Sequence, residues 1–194
     1  MAYNITLEGK NMLVAERMLE NIAKLFNSCN IEYWIEGGTL LGIRRENRLL
    51  PWDNDIDFSV KSTQIEKLEG FIIALKKAGY RVKTRHFDES NDFFKARTLR
   101  MIKIREKRFF GLLKGKVCAD IFIKYPIEDK HYWEIANKTK FVPSKFYEKF
   151  ETISFKEFDY SIPKLTDDYL TYRYSNWQTP VKNWNTATDD KALT

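Results

Sequence analysis

Cysteine is scarce in this chain: Cys29 and Cys118 are the two it has. They are far apart in sequence, so no disulfide framework is available, and a reducing interior is the expected setting. Both read as small core residues. Histidine is equally rare, and His86 and His131 have no cysteine or histidine at ligand spacing, which leaves zinc without support. No stretch approaches the roughly 20 apolar residues of a membrane span. The opening Met1-Ala2-Tyr3-Asn4-Ile5-Thr6-Leu7-Glu8 lacks the basic-then-apolar order of a secretory leader. The expectation is a soluble cytoplasmic protein able to touch the inner face of a membrane. Also missing are a dense basic run interleaved with aromatics, a zinc-finger or RNA-recognition signature, a Gly-x-Ser-x-Gly elbow, a P-loop and a dinucleotide fingerprint. Nucleic acid is therefore not an expected partner. Without internal repeats or a low-complexity linker, 194 residues fit one domain, placed at 1–185 and followed by a polar tail, 186–194, expected to lack fixed structure.

What is present is a mild basic excess, 33 Lys and Arg against 27 Asp and Glu, which suits a phosphate-bearing ligand, an anionic glycopolymer or an acidic membrane surface. Apolar residues from Met12 to Phe26 recur at helical spacing and predict an amphipathic helix over Glu8–Ser28. Ile31–Ile35 reads as a strand ending at Gly37-Gly38, with a short helix capped by Thr39 beyond it. From Asp55 to Val60 polar and apolar residues alternate as a half-buried strand demands. A helix over about 63–78 and strands at 80–87, 95–105 and 116–125 follow, then aromatic-rich turns and short strands after Pro126, and a last helix over Thr166–Tyr174. The fold class is α+β: a mixed β-sheet flanked by helices, with an irregular aromatic-rich C-terminal part.

Asp53, Asp55 and Asp57 are spaced by two, so on extended backbone their carboxylates share a side, about 6–7 Å apart. Like charges so placed raise one another's pKa unless a cation neutralises them, and hard oxygen ligands select Mg²⁺ or Mn²⁺. An EF-hand is excluded, because no glycine follows at the sixth loop position and no glutamate closes the loop. The bland reading is an acidic turn. Upstream, Gly37-Gly38-Thr39 offers close backbone approach and helix N-terminal amides to a phosphate. A phosphate cradle facing a metal-binding acid set is the arrangement phosphoryl transfer needs. Asp120 is the only acid in the run from Val117 to Ile123, so it requires a partner, a metal or an arginine such as Arg105. Arg44 and Lys103 are the basic residues singled out for donor charge.

The segment Glu36-Gly37-Gly38-Thr39-Leu40-Leu41-Gly42-Ile43-Arg44, continued by Pro51-Trp52-Asp53-Asn54-Asp55-Ile56-Asp57, resembles the signature of the LicD family of phosphocholine transferases, to which fukutin and the fukutin-related protein are similar. Asn54 stands where that pattern has its middle acid. Asp120-Ile121-Phe122 is similar to its third acidic strand, and Pro163-Lys164 with Asp168 to Trp177 to its closing element, with Ser175 in place of a glycine. The resemblance implies a nucleotidyltransferase-like fold and transfer of a phospho-alcohol from a CDP-linked donor to a hydroxyl of a glycan or glycolipid, with CMP released. It implies Asp55 and Asp57 as principal metal ligands, Asp53 as assisting them or organising their loop, and Asp120 as third metal ligand or as the base that takes the acceptor's proton. Gly37, Gly38, Thr39 and Arg44 would hold the donor's phosphates. Trp52 and Trp177 would wall the pocket or cage a quaternary ammonium. The competing readings are a nucleotidyltransferase that moves an NMP group onto a protein, drug or small alcohol, and a carbohydrate- or partner-binding module whose acid cluster is vestigial or structural.

Overall fold

A computed structural model describes residues 4–109 and 111–193. The amphipathic helix forms as α1 (Lys10–Ser28), burying Ala15, Met18, Leu19, Ile22, Ala23 and Phe26. Strand β1 (Tyr33–Ile35) leads into α2 (Gly37–Glu46), and β2 (Ile56–Lys61) follows. Helix α3 (Ile65–Lys77) is closed by the turn at Gly79 before β3 (Tyr80–His86) and β4 (Leu99–Arg108). The short β5 (Leu113–Lys114) and the long β6 (Ala119–Ile127) come next. The aromatic-rich half, which the sequence pattern left irregular, resolves into two hairpins and a helix: β7 (Lys130–Ile135) with β8 (Lys138–Pro143), β9 (Phe150–Phe155) with β10 (Phe158–Pro163), and α4 (Thr166–Tyr174). Among the described residues no helix is long and apolar enough to cross a membrane.

The main sheet runs β1-β2-β6-β4-β3. Only the β2–β6 pair is parallel along this path, with Asp57 beside Asp120 and Phe58 beside Ile121; β4 lies antiparallel to β6, with Lys103 opposite Asp120. Alternation then sorts the two faces. Ile56, Phe58, Val60, Ala119, Ile121, Ile123, Ile102 and Ile104 are buried on one side. Phe26 of α1 stacks on Phe71 of α3 with centroids 4.2 Å apart and tilts against Phe58 at 5.5 Å. The other face carries Asp57, Asp120, Lys103 and Lys83 in one cross-sheet row.

The polar C-terminal segment does not lie loose, contrary to its composition. Asp190 and Ala192 are buried, Leu193 bridges to Lys140, and Phe141 donates its backbone N–H to the Ala192 carbonyl at 2.7 Å. Its polar groups meet partners long-range in sequence, a docking that composition cannot signal.

Candidate functional site

Four elements meet at one end of the parallel pair. The loop 51–55 precedes β2, so Asp53 and Asp55 lie on that loop and Asp57 alone of the three stands on the strand, one correction to the simple two-residue alternation. Helix α2 begins at Gly37 after an extended Glu36, with no side-chain cap. Thr39 is therefore not the cap: it sits in the first turn, buried, and its hydroxyl accepts the Asp57 backbone N–H at 2.9 Å. Glu36 N–H donates in turn to the Asp57 carbonyl at 3.0 Å. These two bonds stitch the start of α2 to the acidic strand.

The glycine pair is explained by this stitching. Gly37 takes φ +57, and a Cβ there would lie 2.4 Å from Asp57 Oδ2; a Cβ on Gly38 would lie 1.9 Å from Asp53 Oδ2. Any side chain at either position would collide with a carboxylate. Both glycines are thus required by the close approach of the site's own acids, and of Gly37, Gly38 and Thr39 only Gly38 lines the groove.

That groove is a cavity of about 1570 Å³ whose walls include Trp52, Asp53, Asn54, Asp55, Asp57, Lys103 and Asp120. The half-buried aspartates are poorly neutralised. Burial pushes Asp53 up to about 6, against a hydrogen bond from the Asn54 N–H. Burial also holds Asp55 well above the carboxylate range, helped by the charges of Asp53 and Asp120 and opposed by Lys103 and Arg105. Asp57 is raised by burial and then by Asp55, Asp53 and Asp120. Asp120 has found its partner in Lys103, whose Nζ lies 2.5 Å from Oδ2, rather than in Arg105; the cross-strand register puts the two side by side. Cys118 Sγ is 3.2 Å from the other Asp120 oxygen.

No group of three or more His, Cys, Asp or Glu among the described residues is closely enough gathered to hold a metal ion unaided. The chemistry of the donors still fits a hard divalent cation: Asp53, Asp55 and Asp57 offer oxygen ligands that are desolvated, and Asp55 and Asp57 are pushed up further by the neighbouring carboxylates.

Arg44 is not part of this groove. It makes a two-pronged contact with Asp167, Nε to Oδ1 at 2.7 Å and Nη2 to Oδ2 at 2.9 Å, on a different surface. Its neighbour Arg45 lines the groove instead, held by Glu46 and the Trp177 carbonyl. Trp52 and Trp177 both line the cavity, and Lys182 Nζ stands 5.5 Å from the centroid of the Trp52 ring, which therefore presents its face to a cation.

Beneath the acidic loop lies a second charged cluster that sequence reasoning passed over. Glu36 accepts from Trp34 Nε1 at 3.0 Å, Ser59 Oγ at 2.9 Å, Arg173 Nη1 at 2.8 Å and the Tyr169 hydroxyl. Lys124 Nζ stands 3.3 Å from it and 3.3 Å from the centre of the Trp133 ring. Burial alone would raise Glu36, but Lys124, Arg173 and these hydrogen bonds hold it down to about 2. Burial carries Lys124 the other way, to about 7, against the pull of Glu36. Arg173 and Lys140 then share Asp190. The signal available was the one used for Asp120: Lys124 closes the apolar run Ile121-Phe122-Ile123 and is buried, and a buried charge needs company.

A Gly-Gly helix start stitched to an acidic strand, with a second acid on the adjacent parallel strand, defines a nucleotidyltransferase-type domain. The chain belongs to the LicD/FKTN/FKRP nucleotidyltransferase-domain family, whose model matches residues 30–165. An uncharacterized protein of Rickettsia prowazekii (strain Madrid E) is 27% identical over 143 residues, covering 73% of this chain and 45% of the relative. Human ribitol-5-phosphate transferase FKTN is 28% identical over 178 residues, 88% of this chain and 34% of the relative. The chain thus spans less than half the length of either. In fold it is similar to the antibiotic-resistance factor ANT(2'')-Ia, with a TM-score of 0.50 at 17% identity over 90% of this chain and 78% of that one.

Proposed function

We propose that this domain transfers a phospho-alcohol, of the phosphocholine, glycerol phosphate or ribitol phosphate type, from a CDP-linked donor to a hydroxyl of a cell-surface glycan or glycolipid. The observation that carries the reading is the row of raised, mutually repelling aspartates at the floor of a groove large enough for a nucleotide and an acceptor together. Its support is membership of the family and the similarity to a protein named a ribitol-5-phosphate transferase.

Mg²⁺ or Mn²⁺ would be held by Asp55 and Asp57, with Asp53 and Asp120 flanking, and when bound would supply charge neutralisation at the pyrophosphate. The protein's own residues do the rest. Asp120, fixed by Lys103, receives the proton of the acceptor hydroxyl. The freed oxygen forms a bond to the phosphorus bearing the alcohol as the bond from that phosphorus to the bridging oxygen breaks, and CMP leaves with the bridging oxygen. Gly38 leaves room for the aspartate loop, Glu36 N–H and the Thr39 hydroxyl hold Asp57 in place, Arg45 supplies groove charge, and Trp52 offers a face to a cationic alcohol such as choline.

The test is a screen of CDP-choline, CDP-glycerol and CDP-ribitol for metal-dependent CMP release with a glycan acceptor, run beside free NTPs. CMP release is the expected result. Nucleotide incorporation without CMP release would replace this reading with transfer of an NMP group.

A further inference from the structure

The β4–β5 hairpin projects at the rim of the groove, and its tip is apolar and bare. Phe109 is 70% exposed, Leu112 81% and Leu113 55%. The other exposed large hydrophobic residues, Leu13, Ile73, Leu165 and Val181, are scattered singly through the chain. A cluster of three within five residues is not the ordinary apolar scatter of a protein surface.

A collar of cations rings that tip. Lys107, Arg108, Lys114 and Lys116 are exposed, and no acid lies between Lys107 and Ala119. Glu106, the nearest, is engaged by Arg17 at 2.6 Å and more loosely by Arg108 at 3.9 Å, so one carboxylate faces the whole collar. Lys107 stands directly across from Lys114 in the hairpin register, a like-charge pair that costs stability unless an anion lies over it.

The described residues of the hairpin hydrogen-bond much of their backbone to one another. Beyond the ladder, Gly111 N–H donates to the Arg108 carbonyl at 3.1 Å, Leu112 N–H to the Phe109 carbonyl at 3.1 Å and Gly115 N–H to the Glu106 carbonyl at 2.8 Å. Arg105 braces the base by donating to the Gly115 and Lys116 carbonyls at 3.0 and 2.9 Å. Paired backbone, an apolar tip and a basic collar are what a loop needs to enter the interface of an anionic bilayer.

We propose that the β4–β5 hairpin is a membrane-docking device, with Phe109, Leu112 and Leu113 seated among lipid headgroups and the four basic residues held against anionic lipid. Arg105 and Lys114 also line the catalytic groove, so docking by this tip sets the groove's rim at the membrane surface. An acceptor anchored in that membrane would then meet the aspartates by diffusion in two dimensions. This last step rests on the transferase reading; the docking itself does not.

The experiment is co-sedimentation of the full chain with vesicles of phosphatidylcholine alone and of phosphatidylcholine mixed with an equal amount of phosphatidylglycerol. Binding is expected to the mixed vesicles only and to weaken with salt. The triple variant Phe109→Ser, Leu112→Ser, Leu113→Ser should bind on the order of tenfold or more weakly. Because these side chains are exposed, its melting temperature should stay unchanged, and Leu112→Ser alone serves as a milder check. Failure of the wild type to pellet with the mixed vesicles, equal binding to both compositions, or wild-type binding by the triple variant would overturn the proposal. So would a dimer in sedimentation velocity that the triple variant abolishes while vesicle binding persists, since the tip would then be a protein interface. Vesicle binding without CMP release would leave this inference standing and remove the transferase reading, and the converse would do the opposite.

Discussion

Glu36 and Asp57 are joined by a backbone hydrogen bond of 3.0 Å, yet their carboxylates live under opposite regimes. Glu36 is surrounded by Arg173, Lys124, Trp34, Ser59 and Tyr169, and its charge is fully met. Asp57 faces Asp55, Asp53 and Asp120, and its charge is opposed. A folded chain can compensate a buried acid completely, and this one does so one residue before Gly37. It leaves the neighbouring acids under-compensated, which is the arrangement the proposed metal and donor site requires.

The largest expected effect sharpens the functional side. Asp55→Asn and Asp57→Asn should each lower CMP release by about a thousandfold or more, while the melting temperature holds or rises because repulsion is relieved. A large fall in melting temperature would move these residues to the structural side of the comparison. Glu36→Gln should do the reverse. It leaves Lys124 and Arg173 without the carboxylate between them, and removing one partner of such a buried set costs about 3–5 kcal/mol, measurable by urea unfolding.

Gly38→Ala joins the two regimes. Its Cβ would land 1.9 Å from Asp53 Oδ2, so the acidic loop must move; overpacking of this kind costs about 1–3 kcal/mol, and turnover should fall further than stability. Acid sensitivity belongs to the compensated region. Glu36, depressed to about 2, contributes stability present above its unfolded pKa of about 4.3 and lost as pH falls toward 2. His131, buried and depressed to about 4, binds a proton more readily unfolded than folded. Stability should therefore begin to fall below its unfolded pKa of about 6.5, down to 4. His131→Phe should flatten that upper part in a series of denaturation curves. The smallest effect is expected at Arg44→Ala. Its pair with Asp167 is exposed, 43% and 55% at the two side chains, and should be worth no more than about 1 kcal/mol with turnover little changed.

The sequence made the acidic half legible because its signals are local. Alternation placed Phe58 and Val60 in the core, helical spacing gave α1, and α4 runs over the expected Thr166–Tyr174. Where it misled, the reason is angular or long-range. Arg44 and Arg45 point about 100° apart on a helix, and which of them meets the groove depends on packing that adjacency does not encode. Thr39 looked like a helix cap, but its hydroxyl serves the strand from which Asp57 projects. Glu36 and Arg173 are 137 residues apart in sequence, and no spacing rule links them. The aromatic half read as irregular because its purpose is to enclose charge: Trp133, Tyr147 and Tyr169 wall the Glu36 cluster.

The central claim, that the aspartates of the 51–57 segment are left open for a cation and the donor it accompanies, is tested most directly by calorimetry of Mg²⁺ with CDP-ribitol against wild type and Asp57→Asn. Metal-dependent binding by the wild type and its loss in a variant of unchanged melting temperature is the predicted result. Absence of metal-dependent nucleotide binding to the wild type, or equal binding by both proteins, would contradict it.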